Sequence, residues 1–531
     1  MFDMVFNPEW STMKKLIWLK ATLLSGASAI IKTVTGTAPI TLTNAISHAI
    51  ISLTQTGKCV QDGTPTPDAP VDILCNNGVI KYSANMANVN ADTALVGYYV
   101  SAQGVVTADT NNWIYQEYIP VLPNTTYTLS MSSPVYYVTI SEYSTAEDSG
   151  FVIRKTGSTG TNTSLTITTG ATTNYIRFGT NIDRAAVTLE RVLAVNWMLN
   201  IGDTAMDYQP YVEGGIYTDG TPEVLTVSGK NLFDKNDSDL QYRNRSLATT
   251  KDGYWWYAEG STSLACPCLP NTQYTISGIN QSTGFFRVAT IDVDTLPSQQ
   301  ETYSVPYSYI YRATQSEVHT FVTHSTAKWI IVQVGSNYYD STLTTIQIEQ
   351  GSSATDYESY HAPQTITNIP MLLSVGDYKD EVELIAGIKT GKVGVKVFDG
   401  TEDWTASSSY AGSCYTTISG SLNAPTGIAV LCSHFENSVT LDTYSRGKCT
   451  KQNAFNLWYG DNRTTAVADL KAKLAAQYAN GTPVIVLYPL ATETTEQTTP
   501  HALHTTAGTN VVDVTAEVSG ISLAAQYKAT E

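Results

Sequence analysis

The chain has 531 residues, a net charge of −17, and is 42% hydrophobic but only 15% charged, where about 25% charged is usual. This composition excludes a coiled-coil rod, a disordered tail and a polytopic membrane protein. So acidic a surface repels phosphate backbones, and no nucleic acid is expected as a partner. Threonine supplies 75 residues and tyrosine 33, against 11 phenylalanines. Both favour half-buried, wet strands, so the expected fold class is all-β.

In chain order, residues 1–60 read as an N-terminal docking segment. Lys14 and Lys15 precede an apolar stretch over 16–24, but Lys20 interrupts it. Ala27-Ser28-Ala29 imitates a cleavage site, although the broken apolar run argues against a signal peptide. No run reaches the ~18 apolar residues of a membrane span.

Asp62-Gly63-Thr64-Pro65 then opens one unit, and Asp219-Gly220-Thr221-Pro222 opens another. Leu122-Pro123-Asn124-Thr125-Thr126-Tyr127-Thr128-Leu129-Ser130 returns as Leu269-Pro270-Asn271-Thr272-Gln273-Tyr274-Thr275-Ile276-Ser277. Asp207-Tyr208-Gln209-Pro210-Tyr211 returns as Asp356-Tyr357-Glu358-Ser359-Tyr360. These partners lie roughly 150 residues apart, the mark of a duplicated domain rather than a solenoid. Leu-Pro-Asn-Thr reads as a turn and the alternation after it as a strand. The two tyrosines of the closing motif read as aromatics pinning the last strand. Short alternating strands in units of this size predict two β-sandwiches, over 61–216 and 217–362.

Residues 363–531 read as a C-terminal β-rich domain. A strand is predicted over 393–398, ended by Asp399-Gly400. Val467, Leu470, Leu474 and Tyr478 share one stripe, which predicts a helix over 465–480, stopped by Gly481 and Pro483. Residues 484–488 read as a buried strand, and 511–514 with 521–523 as a final strand pair. The seven cysteines, Cys59, Cys75, Cys266, Cys268, Cys414, Cys432 and Cys449, are sparse and odd in number. They read mostly as small buried hydrophobes rather than a disulfide framework.

Sugar recognition needs flat apolar faces flanked by amides, carboxylates or Arg. The second unit offers Tyr254-Trp255-Trp256-Tyr257, whose side chains alternate across a strand, with Phe285, Phe286, Arg287 and Trp329. The first offers Trp113, Tyr115, Tyr136, Tyr137, Tyr175 and Arg177. The glycan contacts chosen from these are Trp255, Trp256, Tyr257, Phe286, Arg287, Trp329, Trp113, Tyr175 and Arg177. Core or cross-strand packing is the competing reading for each. No metal site is expected. The acidic run at 234–239 lacks the glycine and distal glutamate of a calcium loop. His501 and His504 would face opposite sides of a strand. Asp292 and Asp294 read as a solvated pair on one strand face. No nucleophile elbow, zinc-protease motif, phosphate loop or dinucleotide fingerprint occurs, so neither cofactor nor catalysis is expected. Two glycosidase carboxylates far apart in sequence would leave no local signature.

Gly229-Lys230-Asn231-Leu232-Phe233-Asp234, followed by Leu269-Pro270-Asn271-Thr272, resembles the opening of carbohydrate-binding-module-like sandwiches in tailed-phage structural proteins. Asp356-Tyr357-Glu358-Ser359-Tyr360 resembles their closing motif. The first unit has Asn76-Asn77-Gly78 where the second has its Asn-Leu-Phe entrance. Residues 61–73 and 474–486 resemble segments of minor tail and tail-fibre proteins from phages of gut Firmicutes. The resemblance implies tandem jelly-roll sandwiches in a non-enzymatic virion structural protein. Its expected role is a tail-fibre or baseplate-associated adhesin for a host surface polysaccharide. Its expected partners are other virion proteins and further copies of itself, in a trimer. The alternatives are a non-binding spacer or decoration protein of tail or capsid, and a secreted bacterial carbohydrate-binding protein.

Overall fold

The computed structural model describes residues 29–44, 48–237, 241–247, 254–278, 285–296, 305–306, 309–314, 318–334, 345–408, 412–424, 427–438, 447–459 and 466–530. The fold is all-β. Among the described residues, strands dominate, and the two α-helices span Leu189–Leu193 and Ala466–Ala479.

The duplication read from the motifs is a duplication of topology. The first sandwich has a large sheet in the order Phe151–Thr156, Tyr137–Tyr143, Tyr175–Asn181, Val106–Tyr115, Ala94–Val100. The second repeats that order with Tyr309–Thr314, Phe285–Ile291, Trp329–Val334, Tyr254–Pro267, Gln241–Leu247. The small sheets match too: Asn162–Thr168, Thr126–Val135, Trp197–Ile201 against His319–Val322, Gln273–Ser277, Gln347–Gln350. Trp113, Leu129, Ile140, Phe178 and Trp197 fill the first core. Leu264, Tyr274, Ile276, Val288 and Val332 fill the second.

Side-chain clamps repeat with the strands. In each Leu-Pro-Asn-Thr turn the Asn sits left-handed, at φ 51° for Asn124 and 49° for Asn271, a conformation Asn tolerates better than most residues. The leucine N–H donates to the buried tyrosine hydroxyl, Leu122 to Tyr127 at 2.7 Å and Leu269 to Tyr274 at 2.8 Å. Thr125 N–H donates to Thr169 Oγ1, and Thr272 N–H to Thr323 Oγ1, both at 2.9 Å.

The entrance asparagine is a second shared clamp. Asn231 Nδ2 donates to the carbonyls of Ile346 (3.3 Å) and Glu358 (3.0 Å), and its Oδ1 accepts from the N–H groups of Phe233 and Ile348. Asn85 does the same in the first unit, with the carbonyls of Trp197 (2.8 Å) and Gln209 (2.9 Å) and the N–H groups of Ala87 and Leu199. The first unit's entrance is therefore Asn85-Met86-Ala87, not Asn76-Asn77-Gly78. The substitution of Met-Ala for Leu-Phe hides it in the sequence. The closing motif is likewise held by its backbone carbonyl. Tyr208, Tyr211 and Tyr357 are exposed, so they do not pin the last strand.

The first and last described strands of the chain both join the base. Its eight-stranded sheet runs Ala29–Thr37, Ser522–Thr530, His48–Thr56, Glu381–Glu383, Ile388–Phe398, Val484–Gln497, Leu431–Cys432, with His504–Thr505 beside His48–Thr56. A four-stranded sheet, Ile40–Asn44, Gly508–Thr515, Val224–Gly229, Gln364–Ile366, packs against it over Leu53, Leu225, Val512, Leu523 and Tyr527. Residues 29–37, 40–44 and 48–56 are thus base strands, and the docking segment expected over 1–60 is not separate from the C-terminal domain there; residues 1–28 and 45–47 lie outside the described residues. The two last strands do not pair with each other but fall in different sheets. Strands at 224–229 and 364–366 return to the base, so each sandwich is an excursion from it.

The predicted helix forms over Ala466–Ala479. Leu470 and Leu474 are fully buried against Phe398, Phe455 and Val484, a gain of about 2 kcal/mol per leucine. Gly481, at φ 72°, supplies the left-handed stop.

Where the excursions leave the base, a buried polar junction ties them together. Glu223 sits at 1% exposure, and the side-chain amides of Gln55 and Asn76 donate to its two oxygens. Asn77 accepts from Glu223 N–H (3.1 Å) and donates to the Ile369 carbonyl (3.1 Å), while Asn76 Oδ1 accepts from Leu372 N–H (2.8 Å). Gly78, at φ 113°, lets this turn close on Asp219 and Gly220, whose backbone any side chain would strike.

Candidate functional site

Each sandwich rests on the base by the same surface, formed by its entrance and exit strands. In the first, Ala84, Met86 and Ile201 meet Tyr82, Tyr478 and Ala479, leaving a void of about 10 Å³. The Tyr82 and Tyr478 rings lie 5.2 Å apart with their hydroxyls at 2.5 Å, and together they plug the joint. The matching positions in the second sandwich are Lys230, Leu232 and Gln350, because Ile201 pairs with Tyr127 as Gln350 pairs with Tyr274. Here the joint stays open as a slot of about 280 Å³, near the lower end of the ~300–1,000 Å³ usual for ligand pockets.

The slot has two unlike walls. Its floor is the outer face of the four-stranded base sheet. Strand alternation sends Leu225, Val227 and Val512 into the core and leaves Thr226, Ser228, Val511 and Asp513 on this face. Thr226 stands opposite Asp513, and Ser228 opposite Val511. The roof is Leu232, Pro267, Leu269 and Tyr274 of the sandwich, with Cys268 and Gln350. Lys230 closes the back. Its ammonium is 3.0 Å from Glu358 Oε1 and donates to Thr355 Oγ1 at 2.7 Å. Glu358 also accepts from Thr509 N–H at 2.7 Å, fixing the sandwich to the base strand. With the Lys230 charge neutralised, Asp513 is the remaining charged group among the described residues that line the slot. Burial pushes the Cys268 thiol up to about 12 and holds it neutral. A hydroxyl and carboxylate floor below an apolar roof suits a ring with polar edges and a C–H face.

The residues chosen from sequence lie elsewhere, on the large sheets. Trp113 is wholly buried, edge-on to Phe178 and Trp197 at 5.7 and 4.9 Å; as a core residue it has no face for a sugar. Arg177 is buried and fully engaged. It donates to the Tyr115 carbonyl (3.1 Å) and Asp148 (2.9 Å) and lies 4.8 Å over the Tyr118 ring. Tyr175 is half-buried at the rim of that sheet. Trp329 is half-buried, with its indole N–H donating to the Val293 carbonyl at 3.0 Å, and it packs on Ile291 and Ile331. Arg287 donates to Gln333 Oε1 at 3.2 Å. Trp255, Trp256, Tyr257 and Phe286 fall in strands Tyr254–Pro267 and Phe285–Ile291, with side chains outside the described residues. Asp292 and Asp294 follow the strand end in a loop, where Thr326 donates to Asp292 and Lys328 pairs with Asp294. Asp234 accepts from Asn236 N–H at 2.9 Å, as a polar entry loop should.

The outer faces of the two large sheets have diverged. By register, Ser141 and Arg177 of the first correspond to Ala289 and Ile331 of the second, which form an apolar cluster with Ala265 and Ile291. Among the described residues, all seven cysteines are free, five of them buried, and no cluster of metal-ligating side chains occurs. No described helix is long and apolar enough to cross a membrane.

No known protein family matches the chain, and no curated protein does. Among solved structures, the chain aligns with that of the infectious bursal disease virus Gx strain at 9% identity, over 94% of this chain and 81% of that one, with a TM-score of 0.10. It aligns with the infectious bursal disease virus VP2 subviral particle at 8% identity, over 95% and 81% of the two chains, with a TM-score of 0.09. Likeness at that level carries no argument about function.

Proposed function

We propose that this chain is a non-enzymatic virion structural protein, a tail-fibre or baseplate-associated adhesin of the tailed-phage type. In this reading a saccharide unit of a host surface polysaccharide occupies the slot under the second sandwich. The observation that carries it is the contrast between two copies of one joint, one plugged by Tyr82 and Tyr478, the other open between Thr226, Ser228, Asp513 and an apolar roof. Sugar hydroxyls would meet the floor, and the C–H face would meet Leu232, Leu269 and Pro267. The first sandwich, with its joint filled, serves as a spacer. A shallow site of this size binds weakly, and several copies on one particle would add avidity; light scattering should therefore find a homo-oligomer, with a trimer expected.

The test is retention of the full chain on cell-wall polysaccharide from candidate hosts, beside Asp513→Ala. Saturable retention that the folded variant loses supports the reading. Retention unchanged in Asp513→Ala removes the slot from it. No retention on any polysaccharide by a folded oligomer favours the spacer.

A further inference from the structure

A second cavity, of about 280 Å³, lies in the base between the strand ends at Thr56 and Ser522 and the hairpin Ser374–Lys379. Its polar lining is Thr56, Lys58, Cys59, Ser374, Lys379 and Ser522, and among the described residues no carboxylate lines it. Ser374 and Lys379 are directly paired across the hairpin, so their side chains share one face. Lys58 Nζ donates to the Ser519 carbonyl at 2.6 Å. Neither Lys58 nor Lys379 has an ion-pair partner among the described residues, whereas Lys81, Lys155, Lys230, Lys328 and Lys392 each pair with an acid. Ser374 Oγ accepts from Cys59 N–H at 2.6 Å, and the same hydroxyl hydrogen-bonds the Cys59 thiol.

We propose that this cavity is an oxyanion site, which takes a phosphate or carboxylate group between the ammonium groups of Lys58 and Lys379. Two like charges on one small cavity repel unless an anion joins them. A chain of net charge −17 has acids in excess, yet among the described residues none lines this cavity. Asp380, next to Lys379 in the chain, is buried and accepts three backbone N–H groups, those of Leu373 (3.0 Å), Lys392 (2.8 Å) and Val393 (3.0 Å). Burial pushes the Cys59 thiol up to about 12, so it brings no thiolate to repel an anion. Lys58 and Lys379 supply charge, and the Ser522 hydroxyl supplies a donor, whereas Thr56 Oγ1 already donates to the Ser522 carbonyl at 3.2 Å. Gly520 keeps the wall thin, since a side chain there would strike Lys58 Nζ. The site is separate from the saccharide slot and does not rest on it.

The test is calorimetric titration of the full chain with inorganic phosphate, methyl phosphate and acetate at low ionic strength. At least one anion should bind saturably. Lys379→Gln, at an exposed position, and Lys58→Gln should each weaken that binding by about tenfold, the size of one charge-assisted contact. Added sodium chloride should weaken it further. Methyl phosphate binding like inorganic phosphate would mark a phosphoester as acceptable, and acetate binding alone a carboxylate. Asp513→Asn should leave every isotherm unchanged, which separates this site from the slot. The absence of saturable binding by all three anions, or isotherms unaltered in both folded lysine variants, overturns the proposal.

Discussion

Glu223 makes the stability of the junction depend on pH with a sign opposite to that of most acids. Burial pushes its carboxyl from the ordinary 4.5 up to about 7, against the lowering effect of the Asn76 and Gln55 amides. A raised acid is better accommodated protonated, so its stabilising contribution is complete below pH 4.5 and fades as pH rises to about 7. At about 1.4 kcal/mol per pH unit, that loss is about 3 kcal/mol. His434 works the other way. It is buried beside Ser433 Oγ at 2.8 Å, and burial, with the charge of Lys473, holds it down at about 4. Its contribution is complete above about pH 6.5 and fades as pH falls to about 4, again by about 3 kcal/mol. The two nearly cancel in the wild-type protein between about pH 4.5 and 6.5. Glu223→Gln removes one slope and leaves the other. Urea unfolding of both proteins from pH 4.5 to 7.5 should show the variant gaining about 3 kcal/mol relative to wild type as pH rises. A constant difference between the two across this window would refute the assignment of a raised carboxyl to Glu223.

The two entrance clamps should be equivalent. Asn85→Ala and Asn231→Ala each strip four hydrogen bonds from buried backbone groups, and each should lower the unfolding free energy by about 3 kcal/mol or more in chemical denaturation. Equal losses are expected; a loss in one sandwich only would break the equivalence. Leu474→Ala, in the core under the helix, should cost about 2–5 kcal/mol, read by the same assay. Cys59, Cys75, Cys266 and Cys414 are all pushed up to about 11 or higher by burial. Native protein should therefore react slowly with a thiol reagent at pH 8, and unfolded protein should release seven thiols. Rapid labelling of the native chain would contradict the burial.

Local chemistry explains which features were legible in the sequence. The Leu-Pro-Asn-Thr turn announces itself because only a few residues tolerate its left-handed position, and the helix over 466–479 because its stripe and its Gly-Pro stop agree. The Asp399-Gly400 stop after 393–398 and the unbroken apolar run over 484–488 mark two strands but not their partners. Nothing local in 511–514 or 521–523 says that one joins Val224–Gly229 and the other Ala29–Thr37. The Asn85 clamp was masked because its neighbours changed from Leu-Phe to Met-Ala while its hydrogen bonds did not. The aromatic candidates followed side-chain type, and type alone does not separate a core Trp113 or a pinned Trp329 from a ligand platform. The slot draws on residues from four distant parts of the chain, 226–232, 267–274, Gln350 and 511–513. Lys230, Leu232, Leu269 and Tyr274 lie in motifs that mark the fold. Thr226 and Ser228 facing outward beside Asp513 were the signal available, but it needs the pairing of two strands nearly 300 residues apart to be seen.

The proposed adhesin role requires that the open joint of the second sandwich hold a saccharide. Ser228→Tyr would fill that slot much as Tyr82 and Tyr478 fill the first joint, and Ser228 is not a core residue of the base sheet. The decisive measurement is a binding isotherm for oligosaccharides released from the retained polysaccharide, on wild type and Ser228→Tyr in parallel. The account predicts saturable binding by the wild type and at least a tenfold loss in a variant of unchanged circular dichroism and oligomeric state. Equal binding by both proteins would contradict it and send the search back to the outer faces of the large sheets.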